Sequence, residues 1–172
     1  MNLCAVDSSL RFLRSLSFTW HVPRAVISEG VYLKIANTRP EVRAIDLGPC
    51  FQPGFIERCD AEDPTELKLY VDLARDLDDG EAMGLAVAKV RTWRLATDDR
   101  KARRKAKELG VPLLSTAEIV RKWAKAAKAH DKLIVEALVR IQSLARFAPT
   151  DEYPDAAWWR AVLRRPKPPR TT

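Results

Sequence analysis

The sequence predicts an α/β sandwich with a mainly parallel sheet, and three observations predict it. Short strand-like segments alternate with helical segments at both ends of the chain, the pattern of parallel sheets covered by helices. Of the 172 residues, 47% are apolar and 31% charged, a composition that builds a packed globular core. Several acids fall where a predicted strand gives way to a helix, the edge at which such sheets bind ligands.

The elements run in order along the chain. Residues 3–6 read as a first strand, ending at Asp7. Ser8 or Ser9 then caps a helix that turns Leu10, Phe12, Leu13 and Leu16 inward. Residues 17–22 are aromatic and β-branched, which predicts a second strand. Pro23 suits the first position of a helix, because its missing N–H costs nothing there. That helix is expected to run to Leu33. A turn at residues 37–40 leads to an edge strand at 42–47, and Gly48-Pro49 and Pro53-Gly54 break the stretch after it.

The next helix carries a capping box: Asp63 as cap, Pro64 as first residue, Glu66 three after the cap. Its expected inward stripe is Leu67, Leu69, Tyr70, Leu73, Ala74 and Leu77. Acids at Asp78, Asp79 and Glu81 open another helix, where the positive end of the dipole favours them. Ala82, Leu85, Ala86, Val87 and Val90 form its buried face. Residues 93–97 read as a strand running into Asp98 and Asp99, followed by a very basic helix that Gly110 closes. Residues 111–114 form one more strand, with Pro112 at an edge or strand start. Ser115 and Thr116 cap a helix to about His130, Asp131 caps another to Phe147, and a short helix starts near Pro154. Residues 164–172 are basic and proline-rich, and are expected to be disordered.

Charge is unevenly placed. Residues 1–90 hold 10 Lys/Arg against 14 Asp/Glu, residues 91–146 hold 15 against 6, and the whole chain carries +7. A basic face attracts polyanions, of which nucleic acid is the commonest in a cell. A solvated lysine-rich helix face would explain the charge equally well. Cys4, Cys50 and Cys59 are too scattered for a disulfide framework or a zinc site, and unpaired thiols predict the cytoplasm. No run approaches the ~18 apolar residues of a membrane span, and the first residues lack the pattern of a signal peptide. His21 and His130 are isolated, and no P-loop, nucleophile elbow or dinucleotide-binding glycine pattern occurs.

The acids are the informative residues. Asp7 and the Asp98-Asp99 pair each follow a predicted strand; Glu81 lies in a helix first turn and Glu29 about two turns into another helix. Four acids from separate segments could converge at one edge of the sheet. Clustered carboxylates repel, so hard cations such as Mg2+ or Mn2+ are their natural partners, and such sites suit phosphoryl chemistry. Repulsion is also expected to raise the pKa of at least one of them. The local alternatives stand beside this: Asp99 as a helix cap, Glu81 as a dipole partner, Glu29 paired with Arg24 or Lys34.

Three stretches carry a family resemblance. They are Val22-Pro23-Arg24-Ala25-Val26-Ile27-Ser28-Glu29, Leu77-Asp78-Asp79-Gly80-Glu81-Ala82, and Leu95-Ala96-Thr97-Asp98-Asp99-Arg100-Lys101-Ala102-Arg103. With Asp7 and the stretch at 109–116, they resemble PIN-domain proteins, including the VapC-type toxins of bacterial toxin–antitoxin pairs. The resemblance covers roughly residues 1–120. It implies a three-layer α/β/α sandwich that binds Mg2+ or Mn2+ and cuts RNA. The implied catalytic acids are Asp7, Glu29, Glu81 and Asp99, with Asp7, Glu81, Asp98 and Asp99 on the metal. Arg100, Arg103, Arg104 and Lys107 would hold RNA phosphates. It further implies a small antitoxin partner and a homodimer. Residues 121–163 would then be a C-terminal helical extension. Only 14 residues separate Asp7 from Val22, where PIN domains usually place a longer helical hairpin. That short segment favours a second reading, a PIN-like scaffold that binds RNA or protein without cutting.

Overall fold

Six short strands are formed by the described residues: β1 (Trp20–Pro23), β2 (Val31–Ile35), β3 (Glu41–Ile45), β4 (Ile56–Cys59), β5 (Leu95–Ala96) and β6 (Leu113–Leu114). They pair two by two. β1 runs parallel to β4 with Trp20 opposite Ile56, β2 pairs with β3, and β5 runs parallel to β6 with Leu95 opposite Leu113. Seven helices accompany them: α1 (Arg24–Ser28), α2 (Pro64–Leu73), α3 (Asp79–Val90), α4 (Arg100–Glu108), α5 (Thr116–Ala126), α6 (Asp131–Leu144) and α7 (Ala156–Leu163). The architecture is thus the mixed α/β one that the sequence predicts, with parallel strand pairs and helices toward the C-terminal end. This computed structural model describes residues 2–28, 31–35 and 41–164, so Glu29, the expected turn at 37–40 and the tail beyond Arg164 lie outside the described residues.

The chain divides into two units. The first comprises Met1–Ser17, Tyr32–Ile45 and Ala117–Thr172; the second comprises Phe18–Val31 and Asp46–Thr116. In the second, α3 is the hub, packed against α1, α2, α4, β1 and β5. Its small residues make this possible: Gly80, Ala82, Ala86 and Ala88 are buried with Leu85 and Val87. They meet Leu73 and Leu77 on one side and Ala102, Ala106 and Val111 on the other. In the first unit, α6 packs against α7 and against the start of the chain. Its Ile134, Ala137, Leu138 and Ile141 follow helical spacing and are buried, as are Trp159 and Val162 of α7.

Several expected elements differ. The strand expected at residues 3–6 is a 3₁₀ turn, Asn2–Ala5. Val6 is the one β-branched residue in that stretch, so strand preference is weak and local turn bonds prevail. The Val6 N–H donates to the Leu3 carbonyl (3.1 Å), and Arg140 Nε donates to the Ala5 carbonyl (2.9 Å). The helix expected next is a second 3₁₀ turn, Arg11–Ser15. Leu10, Leu13 and Leu16 are all buried, and their three-residue spacing suits three residues per turn. The helix expected through Leu33 stops at Ser28, and β-branched Val31 and Ile35 belong to β2. β4 has no counterpart among the expected strands, because the breakers at Pro53 and Gly54 precede it so closely. The helix expected to reach His130 ends at Ala126.

The capping box on α2 is formed as predicted: Asp63 accepts from the N–H groups of Thr65 (2.7 Å) and Glu66 (3.0 Å). The inward stripe is rotated, however. Glu66 and Leu73 are buried, while Leu67 is 47% exposed. The ion pair of Glu66 with Arg91 sets that rotation.

Candidate metal centre and nucleic-acid face

The carboxyl edge of β5 and β6 is built by backbone bonds that carry the two strands out side by side. Leu95 N–H donates to the Pro112 carbonyl (2.9 Å), and Thr97 N–H to the Leu114 carbonyl (3.2 Å). Both chains then turn into helices, α4 and α5. Asp98 leaves the first strand and Thr116 the second, which places an acid beside a hydroxyl. The Thr116 N–H donates to Asp98 Oδ1 (3.1 Å), and its hydroxyl donates to Asp98 Oδ2. Asp98 is half-buried, and Ser115 and Thr116 are buried.

Asp99 has a different setting. It is exposed and caps α4, its Oδ1 accepting from Lys101 N–H (2.7 Å) and Ala102 N–H (2.8 Å). Its own N–H donates to Thr97 Oγ1 (3.1 Å). Glu81 lies in the first turn of α3, half-buried between buried Gly80 and buried Ala82.

Asp7 sits in the other unit and holds a turn. Its carboxylate accepts from Ser9 N–H (3.0 Å), Ser9 Oγ (2.6 Å) and Arg11 N–H (3.2 Å). Partial burial works to raise its pKa, but those hydrogen bonds and the Arg11 charge outweigh it, and the pKa lies below the ordinary aspartate value. The expected rise from like-charged neighbours is therefore absent at Asp7.

Oxygen donors of this kind suit Mg2+ or Mn2+. Among the described residues, no group of three or more His, Cys, Asp or Glu is gathered as metal ligands would be. Mg2+ keeps several waters and is commonly held by one or two carboxylates, so a smaller set is chemically sufficient. Asp98 fits that role best. It lies where paired parallel strands end, and a neighbouring side chain orients it, as the outer partners of metal-binding carboxylates do.

α4 supplies the basic face. Arg100, Lys101, Arg104 and Lys107 are exposed, while Ala102 and Ala106 point into the core. Arg103 is half-buried, and its Nη1 donates to the Thr97 carbonyl (2.8 Å), bracing the strand end beside Asp98. Lys105 pairs with Asp76 (3.3 Å). The helix ends in the predicted glycine cap. Gly110 has φ +69°, its N–H donates to the Lys107 carbonyl and that of Val111 to the Ala106 carbonyl.

Sequence reading missed one group in the same unit. Arg91 Nε donates to Glu66 Oε1 (2.6 Å), and its Nη2 donates to Glu66 Oε2 (3.0 Å) and to the Asp60 carbonyl (2.9 Å). Glu66 is 1% exposed, and the Arg91 hydrogen bonds hold its pKa down at about 2 despite burial. The Arg91 guanidinium also lies over the Trp93 ring (5.1 Å), which stacks on His21 at 4.1 Å. A glutamate at the third position of a helix reads as a capping residue, so the sequence carried no signal of burial. All three cysteines are free and buried, and burial pushes the Cys59 thiol up to about 11.

The sequence model of the PIN domain matches residues 2–153. The chain therefore belongs to the PIN-domain family, whose members are generally nucleases. No curated protein and no solved structure matches it. Among the described residues, no helix is long and apolar enough to cross a membrane.

Proposed function

We propose that this PIN-domain protein is a divalent-metal-dependent endoribonuclease acting at the carboxyl edge of β5 and β6. The observation that carries this reading is the Asp98 carboxylate, gripped by Thr116 across two parallel strands. Asp98 and Glu81 lead the proposed ligand set, with Glu29 named by the resemblance. Asp7 and Asp99, engaged in local caps, serve the backbone. The metal, when bound, would activate a water for attack on a phosphodiester and stabilise the leaving oxygen. Arg100, Arg104 and Lys107 would hold the strand by its phosphates, and Arg103 would brace the edge. A cytoplasmic toxin, neutralised by a small antitoxin and acting as a homodimer, is the biological setting; the likeness to VapC-type toxins is its support.

The second reading, a scaffold that binds without cutting, is favoured by the absence of a three-acid group among the described residues. The test is cleavage of a structured RNA with Mn2+ or Mg2+ against the same reaction in EDTA. Metal-dependent cuts that vanish in Asp98→Asn support the nuclease; RNA binding without cleavage in either metal supports the scaffold.

A further inference from the structure

We infer that Thr116 is a positioning residue for the metal-binding carboxylate of Asp98. The inference rests on the nuclease reading and assigns a role within that site. Asp99 bonds with residues 97, 101 and 102, all close in the chain, whereas the bonds from Thr116 reach Asp98 from 18 residues away. Thr116 contributes two donors at once. Its N–H is the first of an 11-residue helix, one of the backbone donors that has no partner within its own helix. Its hydroxyl reaches the other carboxylate oxygen. One donor on each oxygen fixes both the position and the plane of the carboxylate.

A carboxylate has about four acceptor positions, so it can be oriented by a hydroxyl and an N–H and still bind a cation. Thr116 is 5% exposed and Ser115 0%, so water competes poorly for these bonds. The arrangement links the start of α5 to the end of β5, and a loosened Thr116 would let the carboxylate turn away from the metal.

Mn2+ binding to the full chain is titrated by calorimetry without RNA, and the metal-free melting temperature of each variant is recorded. Thr116→Val keeps the branched shape and removes the hydroxyl. It should weaken Mn2+ binding roughly 10–100-fold, the usual loss when an outer partner of a ligand is removed. Thr116→Ser restores the hydroxyl and should recover most of that affinity. Thr116→Ala makes the same comparison if the valine variant does not fold. A Thr116→Val protein that melts lower yet binds Mn2+ as tightly as wild type overturns the inference and leaves the nuclease reading standing. Wild type that binds no Mn2+ overturns both.

Discussion

Residues 3–16 and residues 93–109 present the same pattern in sequence: a short apolar run, an acid, then a stretch with helical spacing. They fold differently. In the second, a two-residue strand survives because β6 runs parallel beside it, and α4 follows with a proper cap and a glycine end. In the first, the backbone closes into two 3₁₀ turns, and the Ala5 carbonyl is taken by Arg140. The fate of each acid follows from this. Asp7 takes its donors from two and four residues ahead, so it is part of a turn. Asp98 takes donors from across a strand pair, so it is held at an edge where ligands bind. An acid fixed by distant residues is set by the tertiary fold; an acid fixed by its neighbours is set by local backbone needs.

The largest expected effect concerns the unit that carries Asp98. Glu66→Ala or Arg91→Ala leaves one member of a buried ion pair uncompensated and should cost about 3–5 kcal/mol in urea unfolding. The pair also sets an acid dependence. The Glu66 pKa is depressed to about 2, so its contribution is fully present above the ordinary value of 4.5 and is lost as pH falls from there toward 2. Asp7, also depressed, adds a loss of the same sign over the acid range. Melting temperature should therefore fall between about pH 5 and 2 more steeply in wild type than in Glu66→Gln.

Next in size is the contrast between neighbours. Asp98→Asn should lower the rate of metal-dependent RNA cleavage at least ~10-fold more than Asp99→Ser, which keeps a good helix cap while removing the charge. Equal losses would break the distinction between the two acids. Smaller again is Asp99→Ala, which should destabilise by ~1 kcal/mol through loss of the α4 cap, read from its urea midpoint. The smallest effect is electrostatic. Changing Arg100 and Lys107 together to Ala should flatten the salt dependence of RNA affinity by ~0.7 for each single-strand phosphate that the pair neutralises. A slope unchanged by both substitutions would move the RNA surface off α4.

Much of the second unit was legible in sequence. Asp63-Pro64 announced α2, Gly110 announced the end of α4, and the alanines after Gly80 announced the packed face of α3. The acids near Asp98 were legible as well, because they follow a strand with clear neighbours. The illegible parts depend on partners far along the chain. Nothing near Glu66 says that Arg91 will bury it, and nothing near Thr116 distinguishes a simple cap from a partner of Asp98. The period of Leu10, Leu13 and Leu16 is three, which a helical pattern and a 3₁₀ turn share over so short a run. β4 starts too soon after Pro53 and Gly54 for its strand preference to stand out.

The most direct measurement is the melting temperature of three proteins, wild type, Asp98→Asn and Asp7→Asn, each with and without millimolar Mn2+. A metal that binds only the folded chain raises its melting temperature. Wild type and Asp7→Asn should both show the rise, the latter from a lower starting point, and Asp98→Asn should show none. A rise retained by Asp98→Asn and lost in Asp7→Asn would place the metal at the turn and contradict the assignment of the edge.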